Sequence, residues 1–130
     1  AALHEDLDVG GSDLMLQKGT NPEVDSYSGF YENDGETKPR LFSGKTLTET
    51  LKERDIKHVV ICGLAYDFCV GWHALDARKE GFSAIIVKDA TRAIAMPLED
   101  DKEGTSETAM DEQLKKAGVH IVTTESLKSV

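Results

Sequence analysis

The chain has 130 residues, of which 39% are hydrophobic and 30% are charged, and its formal net charge at pH 7 is −9. A chain of this length predicts one domain, residues 1–130, with a single core. The acidic charge argues against nucleic acid or an anionic membrane surface as a partner, and no apolar run is long enough to predict a membrane span.

The first predicted elements precede residue 20. Residues 1–12 are polar and predict a loop, whereas residues 14–17 form a short apolar run that predicts a strand. Lys18 would then lie at the carboxyl end of this strand, where Gly19 allows a sharp turn. A solvated lysine at a strand end is the ordinary interpretation of Lys18 from the residues alone.

A helix is predicted after the glycine- and asparagine-rich loop of residues 31–46. Residues 47–54 have amphipathic spacing, and Thr46 with Glu49 matches the pattern of a capping box. Leu47 and Leu51 are four residues apart, so both should face the sheet.

The central stretch, residues 59–78, reads VVICGLAYDFCVGWHALDAR. The apolar run 59–62 predicts a buried strand that Gly63 ends, and a helical pattern begins at Cys69. The positions predicted to share one apolar helix face are Val70, Ala74 and Ala77. The thiol of Cys69 would therefore lie at the carboxyl end of a parallel sheet, where open α/β sheets bind their ligands.

Two interpretations of Cys69 follow from its context. The N-terminus of a helix favours thiolate over thiol, as a nucleophile requires, but a free cysteine is more often a small buried apolar residue. The residues alone leave these alternatives equal. Cys62 lies inside the predicted strand, so we expect no disulfide with Cys69, which indicates a reducing compartment and a cytoplasmic location.

The remaining elements continue the alternation of strands and helices. Residues 82–87 predict a strand, residues 98–104 an acidic loop, residues 105–117 a helix and residues 119–122 a last strand. This order predicts an α/β fold with a parallel sheet and right-handed crossovers.

The motifs GLAYDFCV, ALDA, GF and VKDATR occur in this order and resemble the isochorismatase-like cysteine hydrolases. The likeness is greatest to the nicotinamidase/pyrazinamidase branch, and Lys18-Gly19 followed by DSYSGF agrees with it. The resemblance implies a three-layer α/β/α domain. It covers essentially this whole chain but only about the last three-fifths of the family domain, so we expect a domain that lacks its first two strands.

The resemblance also implies a set of site residues. Cys69 would be the nucleophile and Lys18 a catalytic cation beside it. The N–H groups of Cys69 and Ala65 would form the oxyanion hole, with a cis peptide bond before Ala65. Phe68 and Tyr27 would line the pocket for an aromatic ring, although ordinary packing explains these two residues about as well.

Two parts of the family site have no match in this sequence. The aspartate base of the first strand is missing, and so are the aspartate and histidines that bind zinc or another divalent metal in the full family domain. The scattered histidines His58, His73 and His120 give no metal site. We expect the open sheet edges to be covered by a further segment, a completing chain or a second copy in a homo-oligomer.

Three functions are consistent with these patterns. The first is a nicotinamidase-like amidase that hydrolyses nicotinamide to nicotinate and ammonia through a cysteine thioester. The second is a truncated, non-catalytic interaction module, which the missing aspartate favours. The third is an isochorismatase-type hydrolase of another small substrate. Because the amidase is the closest match but its base is absent, residues 1–130 alone are predicted to be inactive.

Overall fold

The computed structural model describes residues 3–99 and 103–128. The elements in chain order are α1 (Leu47–Glu53), β1 (His58–Leu64), a π-helical turn (Tyr66–Val70), α2 (Gly71–Lys79), β2 (Ser83–Arg92), α3 (Ser106–Lys116), β3 (His120–Val122) and α4 (Thr124–Leu127). The π-helical turn contains Cys69 and is called the cysteine turn below.

The strands form one parallel sheet in the order β1-β2-β3. Val59 is aligned with Ala84, and Ile86 is aligned with Ile61 on one side and Ile121 on the other. The predicted α/β architecture, a parallel sheet with flanking helices, is confirmed.

The core lies where α2 and α3 meet the sheet. Ala74 and Ala77 of α2 are fully buried, as the predicted helix face requires, and Met110 and Leu114 of α3 are buried beside them. Small residues on α2 let this helix approach the sheet closely, and the larger side chains of α3 fill the remaining space.

The helix ends follow the capping signals in the sequence. Thr46 and Glu49 form the predicted capping box, and Leu47 and Leu51 pack against the core. One helix was not predicted: α4 begins after Thr123, beyond the last predicted strand. Its first N–H and hydroxyl group, both from Thr124, donate hydrogen bonds to the carboxylate of Asp89.

Two predicted strands have different extents in the structure. Residues 14–17 form no strand, because they pair with no other strand of the described chain. β2 does not end at residue 87. The register between β1 and β2 shifts after Ile61, and pairing resumes as Gly63 opposite Thr91 and Leu64 opposite Arg92. Of the predicted acidic loop 98–104, residues 100–102 lie outside the described part.

β1 forms one edge of the sheet in the described part of the chain. Its side chains alternate, so that Ile61 is buried whereas Val60 is 53% exposed and Leu64 is 73% exposed. Cys62, between these two, is also exposed. None of the helices described here is long and apolar enough to cross a membrane.

Candidate active site

Cys69 is held in a helical turn that starts earlier than the sequence predicts. The helix was predicted to begin at Cys69, but the cysteine turn begins at Tyr66, directly after a cis peptide bond between Leu64 and Ala65. In this π-helical turn the N–H of Val70 donates to the carbonyl of Ala65, five residues earlier, at 3.0 Å. The turn therefore contains one residue more than a turn of α-helix.

The backbone carbonyl of Ala65 accepts two hydrogen bonds next to Cys69. The Ala65 carbonyl accepts from the N–H groups of Phe68 and Val70, the two neighbours of Cys69. Since a carbonyl oxygen has two lone pairs, this oxygen has no third site for the N–H of Cys69. The role of this N–H in an oxyanion hole stays a prediction.

Lys18 reaches the sulfur of Cys69 across 51 positions of the sequence. Its Nζ donates a hydrogen bond to the Ser26 carbonyl at 2.7 Å and lies 3.4 Å from Cys69 Sγ. The sequence predicted this proximity, but through a strand end. In the structure the backbone of Ser26 orients Lys18, because the segment before Lys18 belongs to no sheet.

An open cavity of about 360 Å³ surrounds these two groups. Its lining residues are Lys18, Tyr27, Val60, Ile61, Cys62, Leu64, Cys69, Val70 and His73. Tyr27 is among these lining residues, and its contact with an aromatic substrate ring stays a prediction. Phe68 is outside the lining and packs edge-to-face on Tyr27, with ring centroids 5.7 Å apart, so its contact with this cavity is indirect.

Asp67, two residues before Cys69, was not identified from the sequence. It is 3% exposed and accepts hydrogen bonds from the N–H groups of Ile94 and Ala95, at 3.0 and 2.8 Å, and from Ser106 Oγ at 2.6 Å. Burial raises the pKa of this carboxyl group, but the hydrogen bonds outweigh burial and lower the pKa below its usual value. Asp67 thus joins the cysteine turn to the loop before α3.

Tyr66 anchors the other side of the cysteine turn. It is fully buried, its hydroxyl donates to Asp111 of α3, and the Nζ of Lys88 lies 3.2 Å from its ring centroid. Burial and the Asp111 carboxylate raise the pKa of Tyr66, so the phenol is neutral. Nothing in the sequence pattern links residues so far apart along the chain.

His73 faces the cavity four residues after Cys69. Its Nδ1 accepts a hydrogen bond from the N–H of Gly29 at 3.0 Å, and its ring packs on Phe30 with centroids 4.7 Å apart. Burial, followed by the charge of Lys18, lowers the pKa of His73 to about 4, so the imidazole is neutral. The sequence showed only an isolated histidine, although its spacing from Cys69 placed both on one side of a helix.

The residues of the cavity do not fit a zinc ion. No group of three or more histidine, cysteine, aspartate or glutamate side chains in residues 3–99 and 103–128 is close enough to share a metal. In the cavity itself, the ammonium group of Lys18 lies beside Cys69 Sγ and would repel a cation.

Comparison with known proteins agrees with this geometry. Residues 26–126 match the model of the isochorismatase domain. A nicotinamidase from Acinetobacter baylyi is 43% identical over 96 residues, which cover 74% of this chain and 42% of the relative. The chain spans less than half the length of the curated relatives that it matches.

Two solved structures extend the similarity to three dimensions. A nicotinamidase–pyrazinamidase from Acinetobacter baumanii superposes with a TM-score of 0.79 at 36% identity, covering 98% of this chain and 55% of that one. A pyrazinamidase from Pyrococcus horikoshii, crystallised in complex with zinc, has a TM-score of 0.66 at 30% identity and covers 91% and 55%. The chain therefore belongs to the isochorismatase-like hydrolase family, and within it resembles the nicotinamidases and pyrazinamidases.

Proposed function

We propose that this domain supplies the nucleophile of a nicotinamidase-type amidase, which hydrolyses nicotinamide to nicotinate and ammonia. The observation that supports this most directly is the ammonium group of Lys18, 3.4 Å from Cys69 Sγ in an open cavity. A nearby positive charge favours the thiolate, which is the reactive form of a cysteine.

The proposed reaction has two covalent steps. The Cys69 sulfur adds to the amide carbon, and the proton of its thiol group passes to the amide nitrogen. The C–N bond then breaks and ammonia leaves, so that a thioester remains on Cys69. Water then adds to the thioester, and nicotinate leaves as the C–S bond breaks and the thiol is restored. The proton acceptor expected for these steps is not among the described residues of the cavity.

The backbone and the aromatic residues have supporting roles in this proposal. The N–H groups of Ala65 and Cys69 stabilise the negative charge that develops on the carbonyl oxygen. Tyr27 contacts the pyridine ring of the substrate, and Phe68 fixes the orientation of Tyr27 through their edge-to-face contact. Lys18 stabilises the thiolate before the attack.

The case for zinc rests only on the relatives of this chain. One structural relative is a pyrazinamidase in complex with zinc, whereas the described residues of this chain form no set of ligands for it. A metal in the full family domain would therefore take its ligands from elsewhere, and no step above depends on it. The cytoplasmic location rests on the two free cysteines and stays a prediction, as does a homo-oligomer or a completing chain.

The test is made with nicotinamide on the full-length enzyme that contains residues 1–130, because these residues alone are predicted to be inactive. Cys69→Ala is expected to abolish ammonia release and the thioester adduct, which mass spectrometry detects as an increase in the mass of the Cys69 peptide. Cys62→Ala, the matched change on exposed β1, should keep most of the activity. Equal loss in both variants would reject Cys69 as the nucleophile. Hydrolysis of an enol ether but of no amide would indicate the third function, an isochorismatase-type hydrolase.

A further inference from the structure

We propose that His73 is a positioning residue that fixes the loop of residues 26–29, and through this loop Lys18, against the sulfur of Cys69. The inference rests on the proposed function, because it assigns a role within the same site. His73 would not touch the reacting atoms.

The contacts form a closed ring. Cys69 and His73 are four residues apart on one continuous helical segment. His73 Nδ1 accepts from Gly29 N at 3.0 Å, the Ser26 carbonyl three residues earlier accepts from Lys18 Nζ at 2.7 Å, and the same Nζ returns to Cys69 Sγ at 3.4 Å. The hydrogen bond from Gly29 is therefore the point at which the helix that follows the cysteine turn holds the loop.

The close approach at Gly29 indicates that this contact depends on the acceptor atom. A Cβ at Gly29 would lie 2.9 Å from Leu16 Cδ2 and 3.2 Å from His73 Cε1, so a side chain here would displace Leu16 or the imidazole. Gly29 is buried, and its N–H would lose its partner if Nδ1 were removed. An unsatisfied buried donor is costly, so the loop would move to satisfy it.

Charge gives a second argument. The ring must be neutral, with Nδ1 unprotonated, to accept from Gly29, and burial together with the charge of Lys18 keeps it so. A positively charged imidazole would lose the acceptor and repel Lys18. The neutral ring thus allows the ammonium group to remain beside the thiol.

Alkylation of Cys69 by iodoacetamide tests the proposal without turnover. The measurement uses the full chain carrying Cys62→Ala, so that Cys69 is the one cysteine of residues 1–130 that reacts. His73→Phe keeps a ring against Phe30 but removes the acceptor. We expect about a tenfold slower alkylation at pH 7, because displacement of a nearby positive charge disfavours the thiolate, which is the form that reacts.

Four further variants make the result specific. Lys18→Met should slow alkylation by a similar factor, and the double variant should be no slower than Lys18→Met alone, because both changes act through the same ammonium group. His73→Asn, whose Oδ1 can accept from Gly29, should recover most of the rate. His120→Phe is the matched control on an exposed histidine and should leave the rate unchanged.

Three outcomes would overturn the proposal. An unchanged rate in folded His73→Phe, additive effects in the double variant, or no recovery in His73→Asn would show that His73 only packs. His73→Leu replaces the Phe variant if circular dichroism shows that the latter does not fold. Coupled alkylation rates in a full-length enzyme that releases no ammonia from nicotinamide would reject the proposed function but support the positioning role of His73.

Discussion

Asp67 shows how a single buried charge organises the surroundings of the thiol. Its carboxylate accepts hydrogen bonds from the N–H groups of Ile94 and Ala95 and from the hydroxyl of Ser106. These bonds attach the loop before α3 to the cysteine turn. Three donors offset the cost of removing the charge from water. The site therefore depends on residues that never face the cavity.

Replacement of Asp67 by alanine should reduce the free energy of unfolding by about 2 kcal/mol, because three partly buried hydrogen bonds would lose their acceptor. Asp67→Asn keeps one acceptor oxygen and should lose less. Urea denaturation at pH 7 measures both, with Asp8→Ala on an exposed residue as the control. A loss below 1 kcal/mol in Asp67→Ala would mean that water replaces the carboxylate.

His73 makes stability depend on pH in a defined window. Its pKa is about 4 in the folded chain, against 6.5 for an ordinary histidine, so the unfolded chain binds the proton first as the pH falls. Stability from this residue is thus present above pH 6.5 and decreases towards pH 4, by about 2 kcal/mol between pH 7 and pH 5. Urea denaturation at these two pH values should show a correspondingly smaller decrease in His73→Phe than in the parent chain.

The residues of the site differ in how well the sequence predicted them. Cys69, Lys18 and Tyr27 could be placed because they lie in GLAYDFCV, Lys18-Gly19 and DSYSGF, the motifs that carry the resemblance to the family. His73 and Asp67 could not, because their partners are backbone N–H groups 44 and 27 positions away. Because almost every residue has a backbone N–H group, the residue type at a position does not show whether its backbone binds a distant side chain.

At the scale of elements, the junction between the cysteine turn and α2 is a close contact. Gly71 begins α2 and is buried, and a Cβ there would lie 2.4 Å from Met110 Sδ and 2.7 Å from its Cε. Met110 is itself 2% exposed, so it has little space to move. The absence of a side chain at Gly71 sets how closely α2 and α3 pack.

Gly71→Ala should therefore destabilise the chain by about 1–3 kcal/mol, since overpacking exceeds the gain in helix propensity. Gly71→Ala combined with Met110→Ala should be less unstable than the sum of the two single changes. Thermal unfolding measures all three variants, and Gly11→Ala, which meets no atom within 4 Å, is the control. Additive changes would show that Met110 adjusts without cost.

The sequence predicted the middles of the elements better than their ends. The apolar run 59–62 lies within β1, and the run 82–87 begins one residue before β2. β2 continues through the polar residues to Arg92 because its backbone pairs again with β1. Helix α4 has four residues, too few for a periodic pattern, and its signals were Thr123 and the distant Asp89. Pairing and capping by distant residues extend elements where hydrophobic periodicity stops.

At the scale of the whole molecule, the described fold leaves β1 open. Val60, Cys62 and Leu64 are exposed side by side on a strand whose outer edge pairs with nothing in the described residues. An apolar, unpaired strand is a template for another strand. We therefore expect this edge to be covered in the working protein.

A polypeptide of residues 1–130 alone should associate at micromolar concentration, and Val60→Lys with Leu64→Lys should reduce the association by adding charge to the strand. Light scattering after gel filtration measures the mass of both forms. The same preparation should release no ammonia from nicotinamide above background and contain no stoichiometric zinc by elemental analysis. A monomeric, zinc-loaded and active product would contradict this prediction.

The shift in register between β1 and β2 divides their pairing into two segments. Residues 58–61 form a continuous ladder with β2, whereas Gly63 and Leu64 pair with Thr91 and Arg92 beyond the interruption. Amide hydrogens of the ladder should exchange with deuterium slowly, since they open only with the core, and those of the short segment should exchange faster. The stretch that leads into Cys69 would then adjust locally to a substrate without loosening the sheet beneath it.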